Sequence, residues 1–131
     1  MIFVDSNIPM YLVGGEHPLK HRARRLAEDA AAAGETLCTD AVVLQEILHR
    51  YRAVRRADLI DPAFAVVYGI VDVVYPIERA DVDRARRLLS TTDRLSARDA
   101  LHIAVMQARD VGRIITFDGA FDVIPGIQRI A

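Results

Sequence analysis

The 131 residues carry 17 basic and 18 acidic side chains for a net charge of −1, and 52% of them are apolar. With a mean hydropathy of +0.16, this is the profile of one domain, residues 1–131, around one core; a polycation that coats nucleic acid and a disordered chain are both excluded. No apolar run is long enough to cross a bilayer, no leader is expected ahead of the first apolar stretch, and the lone Cys38 excludes an internal disulfide, so the expected place is the cytoplasm.

In chain order, "IFV" at 2–4 predicts a buried strand that ends on Asp5, with Ser6 and Asn7 behind it. "NIPMYLVGG" predicts a short helix stopped by paired glycines, and "HPLKHRARRLAEDAAAAG" a helix with a basic face that stops at Gly34. "TLCT" is a second strand with Cys38 buried in it, and Thr39 is the expected N-cap of the helix "DAVVLQEILHRYRAVRR". "DPAFAVVYGIV" predicts a mostly buried helix leading into the strand "VVYPI", and "ERADVDRARRLLSTT" a surface helix. Ser96 caps "ARDALHIAVMQARDVG", a helix expected to stop at Gly112. "RIITF" is a fourth strand, "DGAFDVIPG" a turn or short helical piece, and "IQRI" a last strand. Strands alternating with helices predict an α/β fold of three layers, α/β/α, on a mainly parallel sheet of four or five strands.

Four acids fall in unusual places on this map. Asp5 and Asp118 each follow a strand, so both belong to the carboxyl edge of a parallel sheet, where ligands bind. Asp99 lies in the first turn of the helix capped by Ser96, where the helix dipole favours the ionised form. Glu46 lies one turn from Val42 and Val43, at the margin of a buried stripe, on a helix that starts from the same edge. Each acid alone has a plainer reading: Asp5 a turn former, Asp99 a dipole partner, Asp118 a turn before Gly119, Glu46 the i, i+4 mate of Arg50. Together they are more specific. Four carboxylates in one cleft repel each other unless a cation compensates, and an all-oxygen set suits Mg2+ or Mn2+ and not structural zinc. Such a site fits metal-dependent phosphoryl chemistry.

The segments "FVDSNIPMYL", "LQEILHRY", "SARDALHIAVM" and "IITFDGAFD", in that order, resemble the motifs of the PIN-domain ribonucleases, above all the VapC toxins of bacterial toxin–antitoxin pairs. The resemblance covers essentially the whole chain. It implies a PIN-like fold and metal-dependent endonucleolytic cleavage of RNA. It also implies that Asp5, Glu46, Asp99 and Asp118 hold Mg2+, with Mn2+ as substitute. Where family members often carry a hydroxyl two places after the first acid this chain has Asn7, which together with Thr116 is expected to support the acids from behind. His102, one helical step after Asp99, is expected to be a packed, hydrogen-bonded core residue. The resemblance further implies a VapB-like antitoxin that blocks the cleft and a second copy of the chain as partners. The apolar surfaces around "MYLVG" and "VLQEILHRY", with Leu12 and Leu48, are where such contacts are expected.

Lys20 is the only lysine, so 16 of the 17 basic residues are arginines. Genomic composition accounts for much of this. Arginine also forks onto phosphate, and Arg50 and Arg98 are the candidates for holding an RNA backbone, with Arg52, Arg55 and Arg56 as further members of the first cluster. Two rival readings stand beside the nuclease. A phosphohydrolase or phosphoryl-receiver domain also puts an Asp after strand one, but its expected lysine near a later strand is missing, since Lys20 sits in an early helix. A catalytically silent PIN-like interaction module would be expected to lack one or more of the acids, and all four are present.

Overall fold

The computed structural model describes residues 1–131. Five short strands, β1 (Ile2–Val4), β2 (Leu37–Asp40), β3 (Val73–Tyr75), β4 (Arg113–Ile115) and β5 (Gln128–Ile130), form one sheet in the order β3-β2-β1-β4-β5. All four pairings are parallel. Between them run α1 (Asn7–Val13), α2 (Pro18–Ala32), α3 (Ala41–Ala53), α4 (Ile60–Ile70), α5 (Arg79–Leu89) and α6 (Ala97–Ala108), with 3-10 turns at Ala57–Leu59 and Gly119–Val123. No helix is long and apolar enough to cross a membrane.

Alternation along each strand builds the layers. Phe3, Cys38 and Ile114 point to one face, where Val43 and Ile47 of α3 and Ile103 and Met106 of α6 cover them. Ile2, Val4, Leu37 and Ile115 point to the other, against Ile8 of α1 and Ala23 and Leu26 of α2. The result is the expected α/β/α sandwich. Chain order runs outward from β1 to β2 and β3, then crosses back to β4 and β5. The strand order therefore reverses beside β1, and a crevice opens at its carboxyl end.

Cys38 is fully buried and its thiol is pushed up to about 12, chiefly by burial. It is a packing residue.

Three local expectations are corrected. Thr39 does not cap α3: it lies in β2, where its Oγ1 donates to the Val4 carbonyl at 2.8 Å. Asp40 is the cap and accepts from the Val43 N–H at 3.0 Å, an acid being the stronger partner for free helix N–H groups. Second, α4 is not mostly buried. Only Ala63 and Val67 are, and Tyr68 is 58% exposed, because one stripe of an all-round apolar helix can meet the sheet. Third, α6 stops before Gly112. Asp110 takes the left-handed conformation (φ 56°), and the Val111 N–H bonds to the Met106 carbonyl at 2.9 Å. Gly112 serves a close approach instead, since a Cβ there would lie 3.3 Å from the Gly126 carbonyl oxygen.

Candidate metal centre

Asp5 leaves the end of β1 and is only 4% exposed. Its own N–H bonds to the Ile115 carbonyl at 3.1 Å, which ties it to β4 across the point where the strand order reverses. Its carboxylate accepts from the Ser6 N–H at 2.7 Å, from Thr116 Oγ1 at 2.6 Å and from Asn7 Nδ2 at 3.3 Å. Burial pushes Asp5 above the usual carboxylate value, and the charge of Glu46 adds to that. His102 and the hydrogen bonds from Thr116 and Ser6 pull the other way.

Thr116 is fully buried just past β4, and its one hydroxyl makes three bonds. Besides donating to Asp5, it accepts from Asn7 Nδ2 and from the Asp118 N–H, both at 3.0 Å. Asn7 is held at its other end by the Phe117 N–H at 3.4 Å. The backbone on either side of the reversal is therefore stitched together around Asp5, and Asp118 is delivered to the mouth of the crevice. Asp118 is exposed and also does the turn chemistry read from the sequence, accepting from the Ala120 N–H at 2.9 Å.

Glu46 reaches in from the second turn of α3. It does not pair with Arg50. Its Oε1 accepts from His102 Nε2 at 2.6 Å and its Oε2 from Ser6 Oγ at 2.6 Å. Burial raises its carboxyl, but these two bonds, with Arg98 nearby, outweigh burial and hold it below the ordinary value.

Asp99 sits at the third position of α6, where its N–H bonds to Ser96 Oγ at 3.1 Å. The helix start, expected to favour the ionised form, is outweighed. Burial, followed by the charges of Asp5 and Asp118, pushes its carboxyl up to about 6. That response brings Asp99 into one electrostatic group with Asp5 and Asp118, while Glu46 acts on Asp5 from the other side. The structure brings Asp5 and Glu46 together with His102 within 4.8 Å, while Asp99 and Asp118 lie outside that cluster, Asp99 being felt there through its charge. The acids' donors are oxygens, and at Asp5 and Asp99 burial and like charge outweigh what the protein supplies against them, so a hard divalent cation fits.

Sequence reasoning missed Ser6 as the link between Asp5 and Glu46. Adjacent to Asp5 in "DSN", it was the one available signal. It also missed the reach of Asp40. His102 is packed and hydrogen-bonded in the core, fully buried, with Nδ1 2.8 Å from Asp40 Oδ2. Atoms of Asp5, Glu46 and His102 lie within 4.8 Å of one another, which by distance alone could be read as a ligand set. Both ring nitrogens are already spent on carboxylates, so His102 is no ligand.

Beside the acids opens a cavity of about 650 Å³ whose wall includes Asn7, Glu46, Arg50, Arg98, Tyr11 and Tyr51. Of the first arginine cluster, only Arg50 faces it. Arg56 is committed to Asp58 by two bonds of 3.0 Å, and Arg52 and Arg55 border a separate shallow pocket.

Comparison with known proteins gives the family and the fold. A family model described as PIN domain matches residues 2–127. Ribonuclease VapC13 of Mycobacterium tuberculosis is 59% identical over 131 residues, the full length of both chains. Ribonuclease VapC23 of the same species is 43% identical over 118 residues, 90% of this chain and 93% of that one. Among solved structures, M. tuberculosis VapC20, a sarcin-ricin loop cleaving toxin, superposes with a TM-score of 0.75 at 23% identity over 91% of each chain. At that identity the likeness speaks for the fold alone.

Proposed function

The chain belongs to the PIN-domain family, among its VapC ribonucleases, and on that premise we propose that residues 1–131 form one PIN domain acting as a metal-dependent endoribonuclease toxin. Asp5, Glu46, Asp99 and Asp118 are its catalytic acids and would hold Mg2+, with Mn2+ able to replace it. When bound, such a cation supplies a water activated for attack and relieves the charge that builds on a phosphate.

What the protein itself contributes is preorganisation. Thr116 and the Ser6 N–H fix Asp5, Ser6 Oγ and His102 fix Glu46, and Asn7 braces Thr116 from behind. Few side chains need to move when substrate arrives, which keeps the reorganisation cost low. Arg50 and Arg98, on the wall next to Glu46, are placed to take the RNA phosphates flanking the cleaved bond. Such contacts give affinity and register, not sequence choice.

The observation that carries this reading is the buried Asp5 carboxylate at the carboxyl end of β1, fixed by Thr116 Oγ1 and the Ser6 N–H and linked to Glu46 through Ser6, with the raised Asp99 carboxyl in keeping with it. Acids arranged to repel at neutral pH have a purpose if a cation joins them. The same observation disfavours a silent interaction module, which has no use for that strain.

Several solved structures of similar fold are toxin–antitoxin assemblies, among them VapBC2 of Rickettsia felis, at a TM-score of 0.76 and 16% identity over 99% of this chain and 98% of that one. Those assemblies support an antitoxin partner; we further propose that a VapB-like antitoxin covers the crevice and that a second copy of the chain completes a homodimer, both in the cytoplasm. Leu48, 46% exposed on α3, is available to such a contact, whereas Leu12 is partly packed into the α1–α2 side of the core.

The test is cleavage of total RNA by purified protein with Mg2+, with Mg2+ plus EDTA, and by Asp5→Asn. We expect internal cuts with Mg2+ alone and at least a 100-fold loss in the other two arms, of the order seen when a preorganised electrostatic group is removed. Cleavage that survives chelation, or an Asp5→Asn protein of full activity, would refute the assignment.

A further inference from the structure

We propose that Asp40 and His102 are positioning residues for Glu46, a buried chain that aims this carboxylate at the cation; the inference rests on the metal reading above. The geometry is specific. His102 Nδ1 lies 2.8 Å from Asp40 Oδ2 and Nε2 lies 2.6 Å from Glu46 Oε1. Carboxylate oxygens accept, so each ring nitrogen carries the hydrogen of its bond and neither has a lone pair left for a metal. His102 therefore acts through Glu46.

Each link of the chain is itself anchored. Asp40 ends β2, registers with Tyr75 of β3, and spends its other oxygen capping α3 at the Val43 N–H, 3.0 Å away. The imidazole is 0% exposed, and Phe3 packs on it with ring centroids 5.3 Å apart, so it has no room to turn. Glu46 by contrast is a long side chain on a helix, and without His102 only Ser6 would hold it. The Asp40 carboxylate is fully buried, yet bonded to His102, one of the two residues that hold Glu46. A cap needs one oxygen; the second oxygen makes this a relay from the sheet to the acid site. Partners that orient a ligand in this way are commonly worth a 10- to 100-fold change in metal affinity.

Mn2+ uptake without RNA tests this, with the free ion read from its solution EPR signal, on wild type, His102→Gln, Asp40→Asn, Glu46→Gln and the Glu46→Gln/His102→Gln double variant. Asp40→Asn keeps the helix cap, because an amide oxygen still accepts from Val43. We expect His102→Gln and Asp40→Asn each to weaken Mn2+ about 10-fold or more. In the Glu46→Gln background, His102→Gln should add less than twofold, since its effect passes through the side chain already altered. Two results overturn the proposal: Mn2+ affinity within twofold of wild type in both single variants, or a His102→Gln effect that persists in full without Glu46. Should His102→Gln lose its cooperative thermal transition, Asp40→Asn alone and combined with Glu46→Gln decides by the same criteria. A wild type that takes up no Mn2+ refutes the metal reading together with this one. Uptake by wild type with unchanged single variants refutes only the relay.

Discussion

Thr116 shows how much one hydroxyl can organise. It donates to Asp5 and accepts from both Asn7 and the Asp118 N–H, so two segments at opposite ends of the chain meet on one oxygen. Thr116→Val keeps the shape and removes the polar atom, which leaves buried partners without a bond. We expect a loss of about 1–3 kcal/mol in urea unfolding, and near wild-type stability for Thr116→Ser. Equal stability of the Val and wild-type proteins would show that this junction is not under hydrogen-bond control. At this scale the acids, Asn7 and Thr116 were legible because each sits in a short segment at a strand end or helix start. Ser6–Glu46, Asp40–His102 and His102–Glu46 were not, since those partners are 40, 62 and 56 residues apart and no local pattern encodes their meeting.

Among the elements, the strands could be read because apolar runs such as "IFV" and the "II" of "RIITF" are too short and too evenly buried to be helices. Helix ends were harder. α2, α3 and α6 all finish the same way, with a residue in the left-handed conformation and an N–H reaching back five residues: Glu35 to Ala30 at 3.0 Å, Arg56 to Tyr51 at 2.8 Å and Val111 to Met106 at 2.9 Å. The left-handed residues are Gly34, Arg55 and Asp110, at φ 71°, 58° and 56°. Only the first announces itself in the sequence; Arg55 and Asp110 are exposed, and the backbone bonds that close their helices hold them in a conformation that favours glycine. Arg55→Gly should therefore stabilise the protein by on the order of 0.5–1 kcal/mol, the relief of a left-handed side chain less the extra entropy of glycine in the unfolded chain. A lower urea midpoint would mean that the Arg55 side chain makes a contact worth more than its strain. The misjudged burial of α4 has a related cause. An all-round apolar sequence does not say which stripe faces the sheet, and the exposed side here carries Tyr68.

For the molecule as a whole, the site exists only once the sheet order is set. Parallel strands with ligands at their carboxyl ends could be expected from the alternation of elements, but the placement of β4 beside β1 could not, because pairing across 110 residues leaves no trace in either segment. Since the acids are brought together by folding, a cation that binds them favours the folded state and must raise its stability. The sign with pH follows from Asp99, whose carboxyl is lifted from 3.8 to about 6. Without metal the native state keeps a proton on Asp99 that the unfolded chain has lost, so this residue's contribution to stability falls as pH rises from about 4 through 6. With Mn2+ the trend reverses, because below pH 6 the ion must displace that proton and above it the carboxylate is ready. We expect Mn2+ to raise the melting temperature by several degrees at pH 7 and much less at pH 5, with free ion near 100 times its Kd at pH 7 worth about 2.7 kcal/mol. Asp99→Asn should reduce the pH dependence of the shift, with the raised Asp5 carboxyl supplying the rest, and Asp5→Asn should remove most of the shift itself. The measurement is thermal unfolding at both pH values with and without Mn2+. A shift of equal size at pH 5 and pH 7 would mean that the ion binds away from Asp99.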